Sequence, residues 1–331
     1  MSKCLPIWDQ MPPEIMEKIV GFTDNMDKLR LRQCCRYFQK IVNSSEMVID
    51  NLSITWNYQR NLFSVCVSPP GILKRLLEDS DVSQLEYHLK TVLNCHPKLR
   101  IKELKIEMNP KTFVGKNDTW QLILERKKKH GIIDRLKSIF SKFENKFLIE
   151  HFHMVFDENG ADFLQFLQYF QPETLHTIYM DFVKKLTPQN GFLQFDLSKI
   201  AETEQFKRAK SISVPRVYLP FCRRETAHFA SMTYRIRVLH VEEVEYTVRN
   251  IIRANGWQRR EICFSQVDFD EIREYLTGNF EILKREDEEK DPKLLDVTVR
   301  RDGYKCSIRS HQESGSMVFW NNEVDTESSV F

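Results

Sequence analysis

Apolar residues recur along the chain at positions n, n+3, n+5 and n+7, and this spacing constrains the fold more than any other feature. Full copies are Ile101-Leu104-Ile106-Met108, Ile149-Phe152-Met154-Phe156 and Leu175-Ile178-Met180-Phe182. Shorter ones are Ala209-Ile212-Val214 and Ile236-Leu239-Val241, with a weak one at Ile262-Phe264. Alternation every second residue is the mark of a strand with one face buried. Helical stretches fall between copies, at Asp162–Phe170, Leu197–Phe206 and Val244–Ile252. From the anchors 101, 149, 175, 209, 236 and 262 the steps are 48, 26, 34, 27 and 26 residues.

A strand and a helix repeated in this way resemble a leucine-rich repeat, in which each unit buries its face only against its neighbours. The asparagine or cysteine ladder of regular repeats is absent. The uneven steps keep open an ordinary α/β domain with a mostly parallel sheet. A long helical insertion, Thr119–Phe143, fills the first gap in either case. Ahead of the copies, Val48–Trp56 and Leu62–Val67 predict a hairpin around residues 57–61 that covers one end. Helices are expected over Ile72–Leu77 and Val82–Leu93. At the far end a charge run, Lys284–Pro292, precedes Leu294–Val299, Lys305–Arg309 and Ser316–Trp320. These read as short antiparallel strands, with a turn signal at Asp302-Gly303.

Composition narrows the function classes. The 331 residues carry 49 Lys and Arg against 47 Asp and Glu, so no general attraction to nucleic acid or an anionic membrane is expected. The basic run Lys127-Lys128-Lys129-His130 reads as a solvated helix end. The eight cysteines, at 4, 34, 35, 66, 95, 222, 263 and 306, contain no C-x-x-C pair. With no signal sequence recognised, they read as free thiols in the cytosol or nucleus. No run of about 20 apolar residues offers a membrane span. Phosphate-cradling glycine motifs and a Gly-x-Ser-x-Gly elbow are missing, which argues against an enzyme.

Near the N-terminus, Pro12 and Pro13 can open a helix carrying Ile15, Ile19 and Phe22 as one apolar stripe. A polar break follows, with Asp27 as the expected cap of a second helix bearing Leu29, Leu31, Cys34, Cys35 and Phe38. Helices within about 40 residues bury too little surface to stand alone, so they cap the larger domain or lean on a partner. Met11-Pro12-x-Glu14-Ile15, then Ile19, then Leu29-Arg30-Leu31-Arg32-Gln33-Cys34-Cys35-Arg36-Tyr37-Phe38 resemble an F-box. Met11 stands there for Leu and Cys34 for Val. Trp8, the hairpin and the phrases Pro97–Leu104, Pro172–Ile178 and Gln205–Lys210 are similar to F-box proteins with an FTH domain.

The resemblance implies docking onto a Skp-type adaptor, and through it a cullin–RING ubiquitin ligase, with an unknown protein as target. Met11, Pro12, Ile15, Ile19, Leu29, Leu31 and Cys34 are the implied adaptor contacts. A non-catalytic scaffold is the alternative, and no cofactor is implied. The expected fold class is α/β. Small all-α F-box helices (1–47) lead to a capping hairpin and first helices (48–97). An irregular leucine-rich-repeat-like β/α solenoid follows (98–285), closed by a charged loop and antiparallel strands (286–331).

His151 and His153 share one strand face near Asp157 and Glu158, yet a metal needs three or four converging ligands. They read as surface residues on the concave face, where repeat proteins bind partners. The other residues expected there are Glu103, Lys105, Glu107, Thr177, Tyr179, Asp181, Ser211, Ser213, His240 and Glu242.

Overall fold

A computed structural model describes residues 11–34, 36–57, 62–68, 73–77, 82–93, 96, 98–109, 133–143, 147–156, 161–182, 198–218, 226–252, 258–285, 294–301, 304–311 and 315–321. The chain divides into two compact units: residues 1–155 with 161–175, and residues 156–160 with 176–331.

The first unit opens with three helices, α1 (Pro13–Phe22), α2 (Asn25–Cys34) and α3 (Arg36–Ser44). Pro12 and Pro13 start α1 where a proline loses no intrahelical bond. The Thr23 hydroxyl closes it by donating to the Val20 carbonyl at 2.8 Å. The second helix starts earlier than expected. Asp24, not Asp27, caps it, its carboxylate accepting the Asp27 amide at 2.8 Å. Asp27 instead pairs with Arg30 one turn on, at 2.9 Å.

Strand β1 (Met47–Asn57) follows α3 almost directly and pairs antiparallel with β2 (Leu62–Ser68), the expected hairpin. The segment expected as a helix over Ile72–Leu77 is instead β3 (Leu73–Leu77), antiparallel to β2. Its apolar run is too short to distinguish the two by periodicity. After α4 (Val82–Leu93), strand β4 (Leu99–Asn109) lies parallel to β1, and β5 (Leu148–Phe156) lies parallel to β4. Of the expected 119–143 helix, residues 133–141 are helical and form α5; the earlier part lies outside the described residues. Helix α6 (Ala161–Leu167) then returns the chain, and Phe147 bridges to Phe170.

In β1, β4 and β5 the apolar anchors align rung by rung: Ile49, Ile101, Ile149; then Leu52, Leu104, Phe152; then Ile54, Ile106, Met154. All nine are buried. The step from n to n+3 leaves two outward residues together, Asp50-Asn51, Lys102-Glu103 and Glu150-His151. Ile49-Leu52-Ile54-Trp56 in β1 is therefore a copy of the pattern that the hairpin assignment obscured.

The second unit has β6 (Thr177–Phe182), short helices α7 (Ser198–Ala201) and α8 (Glu204–Arg208), then β7 (Ser211–Tyr218) and β8 (Ser231–Arg235). Next come β9 (Val238–Leu239), α9 (Val241–Ile252), β10 (Arg259–Cys263), β11 (Gln266–Val267) and α10 (Phe269–Asn279). Strands β12 (Glu281–Arg285), β13 (Leu294–Arg301), β14 (Tyr304–His311) and β15 (Ser316–Asn321) complete it. Strands β6, β7, β8 and β10 pair in parallel order. Antiparallel pairs then join β10 to β15, β15 to β14, β14 to β13 and β13 to β12. The three expected C-terminal strands are present, and β12 adds a fourth.

Two copies of the pattern are misplaced in the sequence reading; Ile262 pairs with Tyr234 and so holds the n+5 position of its copy, not the anchor. The buried set in register with Ala209-Ile212-Val214 is Phe229-Met232-Tyr234, not Ile236-Leu239-Val241. Ile236–Val241 instead spans β9, which pairs with β11 in a separate two-stranded sheet, and the first residue of α9. Two overlapping alternations compete here, and Tyr234 and Arg260 at core positions hide the true one. Arg260 is in register with Met232. It is accommodated by donating to the Phe229 carbonyl at 2.6 Å and the Arg259 carbonyl at 3.2 Å. Burial lowers its pKa to about 10.

Candidate functional site

Two surfaces carry the sequence-derived candidates. The first is on the N-terminal helices. Their core is Met16 and Val20 from α1 with Phe38, Ile41 and Val42 from α3. Met16 and Val20 lie four apart, so one stripe of α1 faces inward. Of the stripe read from the sequence, Ile15 and Phe22 lie on the other side. Ile15 is 45% exposed and Phe22 91%. Pro12 beside them is exposed, while Ile19 is partly buried against the core. Helix α1 thus has apolar residues on two faces, and the core uses only one.

The implied adaptor contacts separate accordingly. Pro12 and Ile15 face outward. Met11, Ile19 and Leu31 pack partly against the core cluster. Cys34 is an exposed free thiol whose Sγ donates to the Arg30 carbonyl at 3.3 Å. The Leu29 side chain lies outside the described residues. Phe22 belongs to the apolar periodicity of α1 but not to the contacts that the resemblance implies. Nothing in helical spacing says which of two apolar stripes meets the core.

The second surface is the outward side of the parallel strands, treated separately in each unit. In the first unit Asn51, Glu103 and His151 form one rung, and Ser53, Lys105 and His153 the next. Glu107 follows between Thr55 and Val155. The Asn51 amide donates to Glu103 at 2.7 Å, and Lys105 pairs with Glu107 at 2.8 Å. His151 is exposed. Burial, then the Lys105 cation, lowers the His153 pKa to about 4, opposed by Glu107 and Glu103. At neutral pH its imidazole is uncharged.

In the second unit Thr177, Ser211 and Ser231 share one rung and Tyr179, Ser213 and Thr233 the next. Arg259 and Glu261 extend these rungs on β10, and Trp320 and Val318 extend them on β15. Arg309 stacks over Trp320, 5.8 Å from the ring centroid, and pairs with Asp296 at 2.8 Å. Asp181 is buried. His240 and Glu242 were expected to face outward from a strand. They lie instead at the start of α9, where the His240 carbonyl accepts the Glu243 and Val244 amides. Ser231, Thr233, Arg259 and Glu261 were missed because the copies were misplaced.

Among the described residues no three His, Cys, Asp or Glu side chains converge as a metal site would require. No described helix is long and apolar enough to cross a membrane. Compared with known protein families, residues 8–49 match the F-box domain and residues 130–279 match the FTH domain. No curated protein sequence matches the chain.

Proposed function

For a chain that is an F-box protein with a C-terminal FTH domain, we propose the role of substrate-recognition adaptor in a Skp–cullin–F-box ubiquitin ligase. The F-box domain itself points to ubiquitin-pathway substrate recognition and to binding of a Skp-type adaptor. The observation that carries the reading is the outward stripe of α1. Large apolar side chains left in water are what a protein interface requires. Pro12, Ile15 and Phe22 are the residues proposed to enter the adaptor, with Ile19 at the margin. Met11 and Leu31 pack against the helical core instead.

The strands hold the target on their outward side, in a leucine-rich-repeat-like manner. In-register parallel strands within each unit support that comparison. Neutral His153, Glu103, Lys105 and Glu107 in the first unit, and Tyr179, Thr177, Ser211 and Ser213 in the second, are the contacts proposed. Mixed hydroxyl, charged and aromatic groups suit a protein ligand. The chain has no catalytic part in ubiquitin transfer on this reading.

The test is recovery of a Skp-type adaptor and a cullin with the full chain from cells, with and without Ile15→Asp. The reading requires recovery by the parent chain and its loss in the variant, with circular dichroism unchanged. Adaptor recovered equally by both would overturn it.

A further inference from the structure

We propose that His96 is a positioning residue, a latch that holds the last turn of α3 against the entry to β4. The final carbonyls of a helix lack intrahelical donors, and side chains 54 residues further along reach two of those in α3, although the Val42 carbonyl also accepts the Ser45 amide at 3.1 Å and the Ser45 hydroxyl at 2.7 Å. The buried His96 ring donates from Nε2 to the Val42 carbonyl at 2.6 Å. Lys98 donates from Nζ to the Ser44 carbonyl at 2.9 Å. The other ring nitrogen of His96, Nδ1, accepts the Lys98 amide at 3.1 Å.

One ring therefore serves as donor on one side and acceptor on the other, which only the neutral Nε2–H tautomer can do. A second proton would place an N–H on Nδ1, pointing at the Lys98 N–H. Burial above all, then the positive charges of Arg32 and Lys28 on α2, lowers the pKa of the ring, opposed by its hydrogen bonding to the Val42 and Lys98 backbone. Around the latch, the Met47 amide donates to the Lys98 carbonyl at 3.3 Å and Arg100 meets Glu46 at 3.4 Å. Only Ser45 and Glu46 separate α3 from β1. The helices are thus tied to the first strands by backbone bonds on one side and by His96 and Lys98 on the other.

The consequence for a ligase rests on the adaptor reading: an F-box seated this way presents the neighbouring strands at a set orientation to the adaptor. The latch is tested on its own terms by hydrogen exchange in the full chain, following the last turn of α3 and the start of β1. His96→Leu keeps the bulk and loses both bonds, and exchange there is expected to rise at least tenfold. His96→Gln keeps a donor in reach of Val42 and is expected to restore much of the protection. In the unmodified chain the same segment should lose protection as pH falls below the ordinary histidine range, after correction for intrinsic exchange. The His96→Leu variant should show no such step.

Unchanged exchange in His96→Leu, or an identical acid step in it, would overturn the latch. If His96→Leu fails to fold, the acid step in the unmodified chain decides, and its absence overturns the latch. Adaptor recovery measured on the same samples separates the two claims. Its failure in the unmodified chain removes the ligase role and leaves the exchange result standing.

Discussion

Helix α1 and the parallel strands of the first unit use apolar residues in opposite ways. In β1, β4 and β5 the anchors from Ile49 to Met154 are all buried, and their outward neighbours, Val155 apart, are polar or charged. That face is complete in water. Helix α1 seals Met16 and Val20 inside but leaves Ile15 and Phe22 outside. Burying a large apolar side chain is worth roughly 1.5–3 kcal/mol, so leaving two uncovered makes sense where a second protein covers them. The strands spend their apolar residues on their own fold, and α1 divides them between fold and partner.

This contrast predicts a sharp split between stability and binding. The largest loss of stability is expected from Phe152→Ala. The ring is buried and meets Phe170 edge-on, with centroids 4.7 Å apart. Removing it should cost about 3–5 kcal/mol in chemical denaturation. Met16→Ala opens the smaller helical core and should cost about 2–4 kcal/mol by the same measurement. A negligible cost in Met16→Ala would place the core stripe of α1 elsewhere and erase the contrast.

A smaller effect is expected from pH. Folding lowers the His153 pKa from 6.5 to about 4. The unfolded chain therefore takes up the proton first as pH falls. Stability from this group is intact above 6.5 and is lost between there and about pH 4. After allowance for solvent screening the loss is on the order of 1 kcal/mol. Denaturation at pH 7 and 5 should show it, and His153→Asn should flatten that part of the profile. Smallest of all is the stability change in Phe22→Ser, within about 0.5 kcal/mol, because the side chain touches mainly water.

Much of this was legible in the residues themselves. The n, n+3, n+5, n+7 spacing located β4, β5, β6 and β7, because one face of each strand is continuously apolar. The hairpin and the three C-terminal strands followed from alternation and turn chemistry. Other features were hidden for physical reasons. Leu73–Leu77 is too short for periodicity to tell strand from helix. Arg260 occupies a core position through carbonyl contacts that no pattern of apolar residues reveals. His240 and Glu242 were assigned to a strand face because Ile236–Val241 alternates as a strand does while leading into α9.

The N-terminal candidates show a different limit. Spacing identified Ile15, Ile19 and Phe22 as a stripe, and the resemblance to an F-box pointed to a partner. Which stripe of α1 faces α3 depends on how the helices pack, and Met16 and Val20 are equally apolar. The packing places Phe22 among the outward residues, and spacing alone did not.

The most direct measurement is the affinity of the full chain for a purified Skp-type adaptor, by calorimetry, with Phe22→Ser compared at equal thermal stability. Loss of a buried phenyl ring at the interface predicts a fall of roughly 10- to 100-fold in affinity with the melting temperature unchanged. Equal affinity in the two proteins would contradict the claim that the outward face of α1 is held in reserve for the adaptor.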